Sequence, residues 1–290
     1  MKSKKDFVIC TDSSVDLSKD TLEKWDVGAA SLTFRFDGED KEYTNEGMKI
    51  SEFYSRMREG GVAKTAAVNT ESFTDLFRVY LEDGIDVLYI GFSSGLSTTY
   101  NSARLAAEAL REEFPARKII TVDSLCASAG GALLIRLVLN KMNEGLDIEE
   151  CAKYAEDMKL SICHWFTVDD LVYLKRGGRV SPTAAFFGNM LGIKPVMHVD
   201  NAGHLVNVNK VRGRKMAVEA LADKYGELHL SGGYEVFISH GDCIGDAERL
   251  AEIIEKKHGG KVTLITDVGT VIGAHSGPGT LALFFVGKER

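Results

Sequence analysis

Residues 87–99 read VLYIGFSSGLSTT, a short apolar run that stops at a loop of glycine, serine and threonine. Two other segments repeat this pattern, FVICTDSS at 7–14 and IITVDS at 119–124, and the loops open into helical sequence. Apolar runs of this length that alternate with helices are typical of a mostly parallel sheet in an α/β fold. Such a sheet binds ligands beyond the carboxyl ends of its strands, where helix amino termini offer unpaired N–H groups to anions. The sequence therefore predicts a site for a small acidic group, built from hydroxyls and backbone amides.

The bulk composition is that of an ordinary globular protein. The chain has 290 residues, of which 44% are hydrophobic and 27% charged, and this suggests one large domain or two modest ones. The formal net charge of −7 argues against electrostatic binding of nucleic acid. A short basic cluster at 210–215 is interpreted as the solvated start of a helix.

Cysteine and histidine usage indicates an intracellular protein without a metal or cofactor. The five cysteines lie far apart and show no Cys-x-x-Cys spacing, which indicates reduced thiols. The seven histidines form no ligand cluster of a known spacing. The basic start at 1–6 precedes only four apolar residues, too few for a signal peptide, and no stretch approaches the roughly 20 apolar residues of a membrane span. We therefore expect a soluble, cytoplasmic protein.

The first of two predicted lobes, residues 1–160, alternates strands and helices around a mostly parallel sheet. Its predicted strands are Phe7–Cys10, Ala30–Phe36, Val87–Ile90 and Ile119–Val122, with Lys41–Thr44 as a hairpin partner of Ala30–Phe36. Its predicted helices are Ser51–Glu59, Ser72–Leu81, Asn101–Phe114 and Ser128–Asn143.

The second lobe, residues 161–290, mixes a β-hairpin with strand–helix–strand units and is predicted to be α+β. The hairpin joins Pro195–Val199 to His204–Val211 across the turn at 200–203. The other predicted strands are Ser161–Val168, Glu235–Ser239, Val262–Thr266 and Leu281–Val286. The predicted helices are Asp169–Leu174, Arg214–Lys224 and Asp246–Lys257.

Seven short motifs occur in order along nearly the whole chain. They are TDSSVDL at 11–17, SSGLSTTY at 93–100, DS at 123–124, LKRGGRV at 174–180, IKP at 193–195, HGD at 240–242 and GAHSGPG at 273–279. Together they make the chain resemble the DegV family, which includes the fatty-acid-binding (FakB) subunits of bacterial fatty acid kinase. The resemblance implies a two-lobed, EDD-type α/β fold that holds one long-chain fatty acid in an apolar tunnel. It further implies a carrier without catalysis of its own, which presents the carboxylate to a separate ATP-dependent kinase subunit and can contact a membrane surface transiently.

The resemblance also implies which residues hold the carboxylate. The family's contacts map to Thr65, to Ser94 or its neighbours Ser93 and Ser97, and to His275 and Gly277. Arg179 matches a position near the entrance that serves the head group or the kinase. The chain departs from the family where residues 64–68 (KTAAV) lack the usual Ser and Gln, and where Thr98 replaces a Gly. Some of the following apolar residues are expected in the tunnel wall: Phe186, Phe187, Met190, Leu191 and Ile193.

Each candidate residue also has a simpler structural interpretation. Serine and threonine before a helix most often cap it, and a lone threonine such as Thr65 is most often a turn residue. His275 between glycines is either a packed loop residue or a donor to a carboxylate. Asp12 and Asp123 follow strands, but they would repel a fatty-acid carboxylate in the same crevice, so we interpret them as turn and cap residues.

A second class of function stays open at this point. A serine nucleophile from Ser93 or Ser94, with His275 as its base, would make the chain a hydrolase or transferase acting on a small acidic or lipid substrate. The serine loop lacks the Gly-x-Ser-x-Gly elbow, and no carboxylate is placed by the sequence to orient His275. The pattern therefore favours the carrier.

Overall fold

The first sheet consists of four parallel strands: β1 (Phe7–Asp12), β2 (Val27–Ala30), β5 (Asp86–Gly91) and β6 (Ile119–Asp123). Their order across the sheet is β2-β1-β5-β6. The computed structural model describes residues 6–180 and 192–290. All six residues of β1 are buried, as expected for a continuous apolar run in a parallel sheet covered on both faces. The predicted parallel sheet is confirmed.

The second sheet has six strands: β7 (Ile162–Thr167), β8 (Ile193–Val199), β9 (Leu205–Arg212), β10 (Glu235–His240), β11 (Lys261–Asp267) and β12 (Leu281–Val286). Their order is β11-β10-β12-β7-β8-β9. Only the β10–β11 pair is parallel, so the sheet is mixed. The β8–β9 pair is the predicted hairpin, and the mixed character of this region is confirmed.

A short antiparallel pair, β3 (Thr33–Phe36) and β4 (Ala63–Ala66), differs from the sequence-based prediction. The expected single strand 30–36 is divided between β2 and β3, and its expected partner at 41–44 contributes only one bridge, from Tyr43 to Phe34. The second strand is instead β4, whose AKTA sequence carries no strand signal. Between them, helix α2 (Ile50–Arg58) buries Phe53, Tyr54 and Met57 against the pair.

The central helix of the fold is α5 (Ala129–Asn143), because it contacts both sheets. Its residues from 129 to 135 are all buried, which fits a helix that is apolar around its circumference. The remaining helices are α1 (Lys19–Trp25), α3 (Thr70–Glu82), α4 (Thr99–Glu113), α6 (Ile148–Met158), α7 (Val172–Arg176), α8 (Arg214–Leu228), α9 (Ile244–His258) and α10 (Thr270–Ser276). In residues 6–180 and 192–290, no helix combines the length and the apolar character needed to cross a membrane.

The strands of each sheet fall on one side of the expected boundary between residues 160 and 161. One core cluster nevertheless joins residues of β1, α5 and β12, so packing continues across that boundary. The division into two lobes stays a prediction. The expected wall residues at 186, 187, 190 and 191 lie outside the described residues.

Candidate functional site

A cavity of about 490 Å³ lies between the loops that follow the first sheet and the inner face of the second. Most of its wall is apolar, as is typical of a pocket that buries a small organic ligand. The apolar wall includes Leu32, Phe92, Leu96, Phe166, Val199, Leu205, Val271 and Phe284. The expected wall residue Ile193 is half-buried in β8 and is not part of this lining.

Five of the predicted site residues line this cavity together: Thr65, Ser94, Ser97, Arg179 and His275. Ser94 and the neighbouring Thr98 are exposed, so this end opens to solvent, and we call it the mouth. The mouth combines hydroxyl groups, one imidazole and one guanidinium at the end of an apolar chamber.

Thr65 and His275 form the centre of the mouth. The Thr65 hydroxyl and the Nε2 atom of His275 are 2.8 Å apart and share a hydrogen bond. Thr65 belongs to β4 and His275 to the last turn of α10, so neither is the turn or loop residue that its sequence context suggests. The two meet because α10 packs against β3 and β4.

Two glycines fix the position of α10. A side chain at Gly273 would place its Cβ 2.5 Å from the Tyr54 hydroxyl, so this glycine lets α10 approach α2 closely. Tyr54 in turn donates a hydrogen bond of 2.7 Å to the Val268 carbonyl, just before the helix. Gly277 ends the helix with a φ of 82°, a conformation that favours glycine. His275 therefore occupies a defined position beside β4.

The other side of the His275 ring faces the backbone of Gly177. A Cβ at Gly177 would fall 2.1 Å from Nδ1 of the imidazole. Within the described part of the chain, Nδ1 is buried and has no hydrogen-bond partner. Burial, together with the nearby charge of Arg179, lowers the pKa of His275 to about 4. The imidazole is therefore neutral at pH 7.

Arg179 brings a positive charge to the mouth. Its Nε donates to the Leu96 carbonyl at 3.2 Å, and Nη1 donates to the Gly177 carbonyl. Burial lowers the pKa of Arg179 from its ordinary value, yet a guanidinium stays charged at neutral pH. No carboxylate among the described residues forms an ion pair with it. An anion at the mouth would therefore meet an uncompensated charge.

The serine loop divides between the ligand cavity and the scaffold. Ser97 lines the cavity, but its hydroxyl is 2.9 Å from that of Thr99 and accepts from the Thr99 N–H, so it also organises the start of α4. Ser93 is fully buried outside the lining, where it donates to the Gly203 carbonyl at 2.9 Å and accepts from the Gly95 N–H. Ser93 thus ties the loop to the β8–β9 turn, whereas Ser94 and Ser97 are the serines of this loop that line the cavity.

Gly277 also stands apart from the cavity lining. Its N–H donates to the Gly273 carbonyl, and its carbonyl accepts from the Thr280 hydroxyl. The ring of Tyr173 occupies the space that a side chain at Gly277 would need. The structure therefore gives Gly277 a role in ending α10 and positioning His275.

Asp12 and Asp123 accept hydrogen bonds from backbone N–H groups of the serine loop, as expected from their interpretation as structural residues. Asp12 is fully buried and accepts from the Tyr89 hydroxyl at 2.6 Å and the Phe92 N–H at 3.0 Å. Asp123 accepts from the N–H of Ser94 at 3.1 Å, so it orients the backbone at Ser94. Neither carboxylate lines the cavity.

Sequence reasoning missed the polar residues of the inner wall. Ser128, His164 and Ser239 line the cavity although each is at least nine-tenths buried. The available signal was weak, a serine and a histidine inside otherwise apolar strands and a serine before α5.

Comparison with known proteins places the chain in a family. A family model described as "Uncharacterised protein, DegV family" matches residues 6–288. A DegV domain-containing protein of Clostridium perfringens is 40% identical and aligns over 99% of both chains. A fatty acid-binding protein of Thermotoga maritima is 34% identical, over 97% of this chain and 98% of its own.

A solved structure extends the comparison to the fold. The crystal structure of a stearic acid-binding protein from Eubacterium ventriosum superposes with a TM-score of 0.86 at 27% identity, covering 97% of this chain and 98% of that one. The family model over residues 6–288 and the relative that is 40% identical over nearly the full length lead to one assignment: this chain is a member of the DegV family.

Proposed function

We propose that the protein binds one long-chain fatty acid, with the acyl chain in the cavity and the carboxylate at the mouth. The observation that carries this proposal is the pairing of Thr65 with His275, beside Arg179, at the open end of an apolar chamber. The fatty-acid ligands named for relatives in Thermotoga maritima and Eubacterium ventriosum support the same assignment.

The acyl chain supplies most of the affinity in this proposal. Each CH₂ group that leaves water contributes about 0.8 kcal/mol. The carboxylate contributes little net affinity, but left unpaired in the mouth it would cost several kcal/mol. The polar residues therefore serve to satisfy the head group and to fix its position.

A neutral imidazole can act through Thr65. In the proposed complex Nε2–H of His275 donates to the Thr65 oxygen, and the Thr65 O–H donates to the carboxylate. This tautomer leaves Nδ1 without a proton, which agrees with the lack of an acceptor beside it among the described residues. Ser94 and Arg179 are close enough to the mouth to supply further donors.

We further propose that the protein presents the bound carboxylate to an ATP-dependent fatty acid kinase and performs no catalysis itself. The mouth is exposed at Ser94, so a carboxylate oxygen held there is accessible to a phosphoryl donor on a partner protein. Arg179 is the charged residue placed to assist the transfer or the docking.

The alternative of a serine hydrolase loses support from the geometry. His275 pairs with Thr65, whereas a base for Ser94 would have to lie within hydrogen-bond distance of the Ser94 hydroxyl. Among residues 6–180 and 192–290, no carboxylate is placed to orient the imidazole as in a triad, because Nδ1 faces Gly177 and has no hydrogen-bond partner there.

Native mass spectrometry of protein purified from cells tests lipid binding directly. We expect a bound fatty acid that is released on denaturation. Protein that is free of lipid and does not bind added stearate would contradict the proposal, and ester hydrolysis that is lost in Ser94→Ala would favour the alternative.

The proposed role of Arg179 requires a kinase assay. With a bacterial fatty acid kinase subunit and ATP, Arg179→Ala should lower the rate of acyl phosphate formation by tenfold or more, a loss of about 1.4 kcal/mol or more, while stearate affinity changes less. Lys175→Ala, an exposed cation in the last turn of α7 just before this loop, is the matched control. Equal kinase rates for wild type and Arg179→Ala would show that Arg179 is only a surface residue.

A further inference from the structure

The inner wall of the cavity carries a second polar group, remote from the mouth. Ser128 and Ser239, which we call the inner serine pair, both line the cavity, and their hydroxyl oxygens are 2.9 Å apart. Ser239 is fully buried and Ser128 nearly so. A plain acyl chain has no use for hydroxyls at this depth.

A buried carboxyl group stands behind the pair. The Ser128 hydroxyl donates to Oδ2 of Asp16 at 2.5 Å, and Asp16 itself is 5% exposed and does not line the cavity. Asp16 and Ser128 both have positive φ values, 54° and 52°, which are uncommon for residues other than glycine. These residues form a chain of hydrogen bonds that runs from Asp16 through Ser128 to Ser239 and ends at the cavity.

This chain of hydrogen bonds leaves the Ser239 hydroxyl with free hydrogen-bonding capacity at the cavity. Because Ser128 donates its proton to Asp16, the Ser239 hydroxyl donates to Ser128 and keeps free lone pairs toward the cavity. Burial raises the pKa of Asp16 to about 8, and a protonated Asp16 would reverse the chain and turn the Ser239 O–H toward the ligand. A hydroxyl on the ligand both donates and accepts, so it satisfies Ser239 in either arrangement.

Helix α10 gives the separation between the two polar groups. Gly269, just before the helix, lies against Asp16, whereas His275 in its last turn pairs with Thr65. Six residues of helix span about 9 Å. An extended carbon chain advances about 1.3 Å per bond, by analogy with the ~3.8 Å that three backbone bonds span. Nine ångströms correspond to about seven such bonds, and the two hydrogen bonds from Asp16 to Ser239, of 2.5 and 2.9 Å, add up to about four more. A group that meets Ser239 while the carboxylate is at the mouth would therefore lie at about carbon 8 to 12, near the middle of a long acyl chain.

We propose that the inner serine pair recognises a hydroxyl group in the middle of the acyl chain, which makes hydroxylated long-chain fatty acids a preferred ligand class. This proposal rests on the proposed function, because the carboxylate at the mouth sets which part of the chain reaches Ser239. One hydrogen bond to a neutral partner is worth about 1 kcal/mol, which corresponds to an affinity ratio of roughly fivefold.

The test compares stearic acid with stearic acids hydroxylated at carbon 2, 10 or 12, titrated against delipidated wild-type protein and measured by calorimetry. The expected result is a roughly fivefold or larger preference for the 10- or 12-hydroxy acid over stearic acid, and none for the 2-hydroxy acid. If stearic acid binds and the mid-chain hydroxy acids bind no better, this inference is wrong while the proposed function stands. If none of the four acids binds, the proposed function fails.

Variants assign the preference to the serine pair. Ser239→Ala should remove the preference for the hydroxy acid and leave stearic acid affinity within about twofold. Ser239→Cys replaces the hydroxyl by a thiol, which is only a weak hydrogen-bonding group, and it should also reduce the preference. This variant serves as the test if Ser239→Ala does not fold.

Ser276→Ala is the matched control, because Ser276 is another buried hydroxyl of the cavity wall and has no hydrogen-bond partner among the described residues. It should keep the full preference. A preference that survives Ser239→Ala and Ser239→Cys, or that is lost in Ser276→Ala, would overturn the assignment to the inner serine pair.

Discussion

Thr65 and His275 are 210 positions apart in the chain, yet their side chains share the hydrogen bond at the centre of the mouth. Each residue alone is unremarkable, a threonine on a four-residue strand and a histidine at a helix end. In the proposed complex their role arises from the pairing, because a neutral imidazole would hold the hydroxyl oriented toward the carboxylate. A site with a single positive charge could hold a carboxylate in this way.

Removal of the Thr65 hydroxyl alone is the smallest change that tests this arrangement. Thr65→Val keeps the shape of the side chain and removes one hydrogen bond to a charged acceptor, a loss of about 1.5–3 kcal/mol. Stearate affinity measured by calorimetry should fall by roughly 10- to 150-fold, with the free energy of unfolding changed by less than about 1 kcal/mol. Thr65→Ser, which retains the hydroxyl, should stay close to wild type. Equal affinities for the valine and serine variants would remove Thr65 from the site.

The depressed pKa of His275 gives a pH-dependent stability. The ordinary pKa of histidine is 6.5, and in the folded protein the pKa of His275 is about 4. Between these two pH values the unfolded chain binds a proton at His275 that the folded protein does not. Stability therefore falls as the pH drops through this window, with a slope of up to about 1.4 kcal/mol per pH unit, and this contribution levels off below pH 4. Denaturant unfolding at pH 7, 5.5 and 4.5 measures it. His275→Gln, which keeps a hydrogen-bonding group toward Thr65, should show a smaller slope, and parallel curves would refute the assignment.

At the scale of elements, the site depends on how closely α10 approaches its neighbours. On one side the loop after α7 presents Gly177 to the imidazole, and on the other α10 lies against α2 and the β3–β4 pair. The mouth is thus assembled from short elements that pack around one another and not from the large sheets.

A pair of adjacent glycines separates steric from conformational effects in this loop. Gly177 has an ordinary φ of −71°, so Gly177→Ala introduces no backbone strain, but its Cβ would displace His275 and lower stearate affinity by tenfold or more. Gly178 has a φ of 71° and open space around it. Gly178→Ala should cost about 1 kcal/mol of stability and leave affinity unchanged. Affinity that responds to Gly178→Ala and not to Gly177→Ala would contradict this packing.

The sequence predicts the long elements well and the short ones poorly, for a physical reason. Apolar runs such as those of β5 and β12 and the periodic pattern of α4 carry the hydrophobic signal of burial, and the structure confirms them. Strand β4 is short and polar, and α10 contains Gly273, so neither shows a pattern until its neighbours are known. Helix α6 was also missed, although Asp147 and Glu150 form a capping box at its start.

The same limit applies to the candidate site. The family resemblance pointed to Thr65, Ser94, Ser97, Arg179 and His275, which the structure brings to one cavity. The resemblance could not separate Ser94 from Ser93, because the division depends on a hydrogen bond from Ser93 to Gly203, 110 positions away. The inner serine pair was likewise hidden, since Ser128 and Ser239 meet only through tertiary packing.

The whole molecule builds the chamber from both sheets. Phe92 and Leu96 come from the loop after β5, and Phe166 and Phe284 from strands of the second sheet, while α5 fills the space between the sheets. In the proposed complex, a chamber enclosed in this way would recognise an acyl chain by the apolar area it buries.

Chain length should therefore control affinity in a regular way. Across saturated acids from 10 to 16 carbons, each added CH₂ should raise the affinity about fourfold, corresponding to about 0.8 kcal/mol. Fluorescence displacement with a fatty-acid probe measures the series. Thr65→Val should lower every member by the same factor and keep the slope, because it changes only the head-group contact. An affinity independent of length would exclude burial of the chain as the source of binding.

The buried Asp12 has a further consequence for a carrier that must be used repeatedly. Its carboxylate accepts hydrogen bonds from Tyr89 and Phe92 and does not line the cavity, so it holds the serine loop without contacting a ligand there. A serine loop that is already ordered after the ligand has left needs no ordering step before the next fatty acid binds. In the proposed carrier, the rate of each round of binding and delivery would then be limited by the entry and exit of the lipid, so one protein molecule could serve many rounds.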